Sequence, residues 1–494
     1  MKLFWHQYKY FPYEKELARR EVCSLLSPEE IHEVDGSIEI SAPQNTTLAN
    51  RLVYFKEFES NTSKNKTQQF LLESGTVNGT KRQSTRYSAH GLHEYKGKFN
   101  PQIAKAMLNI FGAKESDRVL DPFCGSGTSL IECMHLGLSS VGTDINPLAA
   151  YIANAKVLSL CTPAQKIIDG AKTAAEIAIN NIHSINENNE RSNYLLSWFP
   201  RDNFIKIESL KLALKEIDDD VSIILLSIAS NLLRDYSYQD PNDLRIRRRK
   251  TPLPEVSFFQ TFLTAAQSFT DKLKQSQKVH GILSKSGVAL NQDCTGIDPS
   301  GELRPESFDM AITSPPYATA LPYIDTQRLS LIWLDLLSPS EVKELEARLI
   351  GSREIRGASK KDLLLKLEKN ASNIPEHEAD LCTKLQSALT EDDGFRRQVV
   401  PTLLYRYFSG MSDAFSSIRE LVKPGAPFGL VVGGNHTVLS GIRFDINTPQ
   451  HLANIATERG WKHMESIPLQ TYKRYGLHQN NSTKVETLVI LKAI

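Results

Sequence analysis

Apolar positions change their period along this chain. In residues 1–58, short clustered runs (LFWHQYKYF, SIEISA, RLVYFKEF) flank EKELARREVCSLL, where Leu17, Val22, Leu25 and Leu26 share one broad helical face. This pattern predicts a small N-terminal α/β unit over 1–58. Residues 59–92 are rich in Ser, Thr, Asn, Lys and Gln, and are expected to be a polar linker. From residue 93 strands and helices alternate. PQIAKAMLNIFG, SLIECMHLG and AAYIANAKV have helical patterns, interleaved with RVLDPF and SSVGTDI. Later strands are GVALNQD (287–293), FDMAITS (308–314) and FGLVVGG (428–434), and the chain closes on WKHMESIPLQTY and ETLVILKAI. Such alternation implies a parallel sheet covered on both faces. The expected fold is α/β and Rossmann-like over 93–494. Two mostly helical insertions interrupt it, at about 160–285 and 330–400. One of them is a candidate for target recognition.

Composition narrows the classes. Hydrophobic residues make up 40% and charged residues 23% of the 494, the balance of an ordinary soluble protein. The longest apolar run, VSIILLSIA (221–229), is about half of what a membrane helix requires. The N-terminus has no apolar leader core, so a cytoplasmic protein without membrane contact is expected. Cys23, Cys124, Cys133, Cys161, Cys294 and Cys382 contain no CxxC pair, and the 12 histidines show no metal spacing; no metal is expected. A net charge of +1 neither requires nor excludes a nucleic-acid partner, because phosphate binding depends on local basic surface.

The first chemical signal is Asp121-Pro122-Phe123-Cys124-Gly125-Ser126-Gly127-Thr128, where a strand feeds a turn with two glycines and then a helix. Gly125 and Gly127 permit close backbone approach to a ligand. The third glycine of the dinucleotide fingerprint is missing, and so is the GK[ST] of a phosphate loop. A ligand with a ribose and no pyrophosphate suits the turn. Asp144, at the end of the next strand, is placed to accept hydrogen bonds from ribose hydroxyls.

The second signal is Thr313-Ser314-Pro315-Pro316-Tyr317, after FDMAI. Two prolines fix the backbone and remove two N–H donors. The Ser314 hydroxyl and the Pro315 carbonyl are then rigid acceptors, suited to hold the hydrogens of an exocyclic amine and aim its lone pair. Tyr317 offers a flat ring on which a base can stack.

Together these motifs resemble the amino-methyltransferases that modify exocyclic amines of DNA bases. DPFCGSGT looks like their cofactor turn, and TSPPY like their catalytic tetrapeptide in the form usual for cytosine-N4 enzymes. Adenine-N6 enzymes and related tRNA guanine-N2 enzymes more often carry Asp or Asn where Ser314 stands. HEYKGKFNPQ (93–102) is similar to the segment that lines the methionine end of the cofactor, and Asp293 stands where an adenine contact is often found. The resemblance covers about 93–157, 287–335 and 401–494. It implies S-adenosylmethionine as cofactor, held by Lys98, Phe99, Asn100, Pro101, Asp121, Pro122, Phe123, Gly125, Gly127, Thr128, Asp144, Asn146 and Asp293. Ser314, Pro315, Pro316 and Tyr317 are the implied catalytic residues.

The expected activity is methylation of cytosine N4 in DNA, within a restriction or defence setting that includes partner proteins. The alternatives are RNA base N-methylation (tRNA guanine-N2 or cytosine-N4), DNA adenine-N6 methylation, and a non-catalytic nucleic-acid binder. The densest basic run, Arg245, Arg247, Arg248, Arg249 and Lys250 in DLRIRRRKTP, is a candidate phosphate contact; a solvated face is the plainer reading. Lys81, Arg82 and Arg86 suggest a basic arm or a plain linker. Gly433, Gly434, Asn435 and His436 could border the base pocket, and YKRYGLHQNN (472–481) could be a loop at the substrate face.

Overall fold

The computed structural model describes residues 1–60, 63–73, 83–180, 188–318, 324–354, 360–470 and 485–494. The N-terminal unit comprises β1 (Lys2–Trp5), α1 (Pro12–Leu26), β2 (Ile31–Val34), β3 (Ser37–Ile40), β4 (Phe55–Glu59), β5 (Lys64–Lys66) and α2 (Gln68–Glu73). Its five strands form an antiparallel sheet in the order β2-β3-β1-β4-β5. The unit therefore runs past residue 58.

The expected polar linker is corrected on this point. Residues 64–66 form a strand paired with β4, and Thr67, Gln69, Leu72, Tyr87 and His90 are buried. Polar side chains hold this stretch in place: Thr67 Oγ1 donates to the Phe55 carbonyl at 2.6 Å, and Tyr87 donates to Glu132 at 2.7 Å. Lys81, Arg82 and residues 472–481 lie outside the described residues.

The main domain begins with α3 (Pro101–Ile110), β6 (Arg118–Asp121), α4 (Thr128–His135), β7 (Ser139–Asp144) and α5 (Pro147–Cys161). α3 and α5 start on Asn-Pro pairs. Asn100 and Asn146 are the N-caps, Asn100 accepting two backbone N–H groups and Asn146 one, and the proline that follows has the φ a first turn requires. The first insertion contributes α6 (Ala164–Asn180), α7 (Glu190–Leu196), α8 (Arg201–Leu214), α9 (Asp219–Leu232) and α10 (Phe258–His280). β8 (Gly287–Asn291) and β9 (Met310–Thr313) follow. The second insertion carries α11 (Arg328–Trp333), α12 (Val342–Arg348), α13 (Lys360–Glu368) and α14 (Glu376–Ser387). The chain then runs through α15 (Val400–Leu421), β10 (Pro427–Gly433), the hairpin β11 (Asn435–Leu439) and β12 (Ile442–Ile446), α16 (Thr448–Thr457), β13 (Trp461–Gln470) and β14 (Val485–Ala493).

Seven strands form the central sheet in the order β13-β14-β10-β9-β6-β7-β8. β10, β9, β6, β7 and β8 pair in parallel, while β14 is antiparallel to both β10 and β13. This is a Rossmann-like sheet. Alternate residues of its strands feed opposite cores. Val119, Met310, Ile312 and Val431 pack with α3 and the N-terminal unit. Leu120, Ala311, Leu430 and Val432 pack with α15 and α16. The first insertion builds a third core over α5 at the β8 edge. Strand order reverses at β6: β7 and β8 lie on one side of it, and β9 and β10 on the other. Ligands of open α/β sheets bind beyond the strand ends at such a point. β6 leads into the Gly-rich turn and β9 into the Pro-Pro turn, so the two motifs are neighbours there.

Candidate active site

Asp121, the last residue of β6, joins the two turns. Its carboxylate accepts the Thr313 hydroxyl at 2.7 Å, the Ser129 hydroxyl at short range and the Phe123 backbone N–H at 3.2 Å. It is buried, and burial raises its pKa to about 6 against the lowering effect of these donors. Asp121 thus braces the site from within.

The Gly-rich turn is held from three sides. Gly125 and Gly127 have φ of +48° and +76°, values that disfavour any residue with a Cβ. A Cβ on Gly127 would stand 2.7 Å from Ala153 Cβ, so this glycine also lets α4 and α5 approach. A Cβ on Gly125 would lie 3.3 Å from the Tyr95 ring, which places the HEYKGK segment across the turn. Behind the turn, buried Lys156 of α5 donates to Ser126 O at 2.8 Å and Ser126 Oγ at 2.9 Å, and burial pushes its pKa down. The sequence reading missed Lys156. Its signal was a lysine inside the apolar helix LAAYIANAKVLSL.

Asp144 stands beside this turn. One carboxylate oxygen accepts Gly125 N–H at 3.0 Å and the other accepts Asn146 N–H at 2.9 Å. Each oxygen keeps a further lone pair. Burial, with smaller effects from Asp121 and Asp293, raises its pKa to about 6. Asp293, past β8, accepts Thr295 N–H and Oγ1 and faces Arg348 at 3.9 Å.

Other expected cofactor residues have assigned work in the fold. The side-chain oxygens of Asn100 and Asn146 cap helices, and Asn146 Nδ2 donates to Gln327 at 2.6 Å. Lys98 donates to Thr85 O at 2.8 Å, and burial lowers its pKa to about 7. The first insertion supports this region. Ser230 meets His93 Nε2 at 3.1 Å, and Asn231 accepts Glu94 N–H at 2.9 Å.

At the Pro-Pro turn, Ser314 Oγ donates to Val431 O of β10 at 3.3 Å. A hydroxyl has one hydrogen, so toward any other group Ser314 acts as an acceptor. Tyr317 is half-buried, and its hydroxyl donates to Glu486 of β14 at 2.7 Å, which fixes the ring. Asn435 Nδ2 donates to Ala318 O at 2.9 Å, so the residues after β10 do border the turn. Gly351 of the second insertion was not foreseen. A Cβ there would stand 2.6 Å from Tyr317 O.

The basic run does not act as one strip. Arg248 lies over the Trp198 and Tyr238 rings and donates to Ser197 O at 3.0 Å; Arg249 donates to Asp235 O at 2.5 Å and Ser237 O at 3.1 Å. Arg249 holds its own loop together, and Arg248 ties that loop to the connection between α7 and α8. Arg247 pairs with Asp243 at 3.1 Å, while Arg245 and Lys250 are exposed.

Residues 92–187 match the family described as RMKL-like, methyltransferase domain. The chain is 28% identical over 310 residues to the type II methyltransferase M.MvaI of Kocuria varians, spanning 57% of this chain and 65% of that protein. It is 26% identical over 386 residues to the type II methyltransferase M.BsoBI of Geobacillus stearothermophilus, 70% of this chain and 74% of that one. A shorter match, 48% over 52 residues, is to a tRNA (guanine(10)-N2)-dimethyltransferase of Methanothermobacter thermautotrophicus, covering 10% of this chain and 16% of that one. The resemblance to DNA methyltransferases therefore extends beyond the two motifs.

Proposed function

We propose that this chain is an S-adenosylmethionine-dependent DNA methyltransferase acting on the N4 amine of cytosine. The observation that carries the reading is the pairing of β6 with β9, locked by the Thr313–Asp121 hydrogen bond, which sets an acceptor-lined turn beside a ribose-binding one.

The residues fit the cofactor. At Gly125 the missing Cβ lets the Tyr95 ring pack over the glycine turn, and Asp144 has lone pairs for two ribose hydroxyls. By the family resemblance, Asp293 would serve the adenine end of the cofactor and the 93–102 segment its methionine end. When bound, S-adenosylmethionine supplies an electrophilic methyl group. Ser314 Oγ accepts a hydrogen bond from one hydrogen of the target amine and the Pro315 carbonyl accepts one from the other; the nitrogen, once methylated, loses its surplus proton to water. The two acceptors orient the amine lone pair toward the methyl group, and Tyr317 stacks on the base. Rate enhancement comes from positioning, with no covalent intermediate on the protein. The target base must leave its stack, at about a few kcal/mol in duplex DNA.

The type II names of the relatives favour DNA and a restriction setting with a paired nuclease. Among the described residues no helix is long and apolar enough to cross a membrane. The tRNA-enzyme match supports a second reading, RNA base N-methylation. Incubation with labelled cofactor and either duplex DNA or tRNA, followed by nucleoside analysis, separates them. Label in N4-methylcytosine of DNA is expected. Label in N6-methyladenine, or in RNA alone, overturns the base or the polymer. Ser314→Ala and Tyr317→Ala are expected to lower transfer by at least about a hundredfold, by loss of positioning; undiminished transfer removes the amine-holding role.

A further inference from the structure

Two groups of side chains among the described residues bring two histidines and a carboxylate within metal-binding reach: His90, Glu132 and His135, and His377, Glu378 and His451. The first group is closed. Its three side chains are 0% exposed. Tyr87 and His90 occupy one Glu132 oxygen at 2.7 and 2.6 Å, and His135 meets the other at 3.3 Å. An ion finds neither a route in nor an open oxygen there.

The second group differs on both counts. His377 and Glu378 lie in the first turn of α14, while His451 comes from α16, 73 residues beyond Glu378. The fold assembles the trio, so no spacing along the sequence announces it. His451 Nδ1 lies 2.8 Å and His377 Nδ1 3.2 Å from the same oxygen, Glu378 Oε1. Asn454 Nδ2 donates to that oxygen at 3.0 Å. Glu378 is fully buried, yet its second oxygen, Oε2, has no hydrogen-bond partner. No lysine or arginine among the described residues pairs with this carboxylate.

A buried carboxylate with one oxygen unmet is costly, and a cation bound to it removes that cost. The geometry suits a small ion held by nitrogen and oxygen. In a tetrahedral zinc site, with bonds of about 2.0–2.1 Å, ligand atoms stand roughly 3.3 Å apart. Here two of the separations are 2.8 and 3.2 Å, and all three ligand atoms lie within 4.8 Å of one another. His451 is held in place, its ring 5.5 Å from that of Phe408. The His377 side chain is 73% exposed, so it can turn to close the set, admits the ion from solvent and leaves water a further ligand position.

We propose that His377, Glu378 and His451 bind one divalent transition-metal ion of the zinc class, which clips α14 of the second insertion to α16 of the catalytic domain. Imidazole and carboxylate together favour zinc over magnesium or calcium, which take all-oxygen sites. Asn454 stays on the carboxylate and orients it, as outer-shell partners of metal ligands do.

Equilibrium dialysis of the full chain, first stripped with EDTA, against Zn2+ reads the site. Saturable uptake of one ion at this site is expected. His377→Ala and Glu378→Gln should each weaken that uptake at least about tenfold. Saturating Zn2+ should raise the Tm of the wild-type chain by roughly 2–5 °C, and Mg2+ should leave it unchanged. In EDTA, His377→Ala should melt within about 1 °C of wild type, because the ring it removes is exposed, so its lost uptake is not lost folding. A wild-type chain that takes up no Zn2+ overturns the site. Uptake by His377→Ala and Glu378→Gln at wild-type affinity also overturns it, by assigning the ion to other histidines. Uptake at the trio with no change in Tm overturns the clip.

Discussion

Asp144 has to stay ionised in a place that disfavours charge. Burial raises its pKa to about 6, and the N–H groups of Gly125 and Asn146 only partly oppose this. Ribose hydroxyls donating to the carboxylate would favour the ionised form, so cofactor binding should draw this pKa down and release a proton near pH 6. The sign follows. Affinity is constant well above pH 6, where Asp144 is already ionised, and weakens as pH falls through 6. Calorimetric Kd values from pH 5 to 8 check this. Asp144→Asn should bind about tenfold or more weakly at pH 8, from loss of charge-assisted hydrogen bonds, with a flatter pH profile. An equally steep profile in the variant would assign the dependence elsewhere. Burial raises the pKa of Asp121 to about 6 as well, but its donors Thr313, Ser129 and Phe123 belong to the protein and not to the cofactor. Its protonation should slow transfer more than it weakens cofactor binding.

At the level of elements, the sequence was most legible where burial and turn chemistry coincide. β6 and β9 are short apolar runs ending on Asp-Pro and Thr-Ser-Pro, and both lie where the pattern placed them. The Asn-Pro pairs at 100–101 and 146–147 mark helix starts. Residues 59–92 were misread because Thr67, Gln69, Tyr87 and His90 are buried through hydrogen bonds, which hydrophobic patterning does not register. Gly351 had no local signal: its need for glycine is created by Tyr317, distant in sequence. It also has φ +78°, which strains any other residue. Gly351→Ala would set a methyl 2.6 Å from Tyr317 O and must displace the turn. Displacements of about 1 Å at a positioned reaction reduce rates roughly a hundredfold. The variant should therefore lose transfer while keeping its cofactor Kd, because Asp144 and the Gly-rich turn are untouched. A loss of both would mean that the second insertion supports the whole domain rather than the turn.

The whole molecule bears on which polymer is the substrate. A separable N-terminal unit would resemble an appended RNA-binding module, but here the unit is fused to the catalytic domain. Leu17, Val22, Leu26 and Phe55 share one core with Ile103 and Met107 of α3 and with Met310 and Ile312 of β9. Polar contacts cross the same boundary. Glu21 accepts Asn109 Nδ2 at 2.7 Å, Ser24 donates to Asn109 O at 2.9 Å, and Arg20 pairs with Glu465 of β13 at 2.5 Å. Exposing a buried side chain of Leu or Met size costs about 1.5–3 kcal/mol, and a domain holds only about 5–15 kcal/mol in reserve. Uncovering the α3 face should exhaust that reserve. A fragment starting at residue 93 is expected to lose near-UV circular dichroism, bind ANS and fail to bind cofactor, whereas the full chain does none of these. A fragment that folds and binds cofactor but loses nucleic-acid affinity would instead make the unit a separable binding module and shift the balance toward RNA.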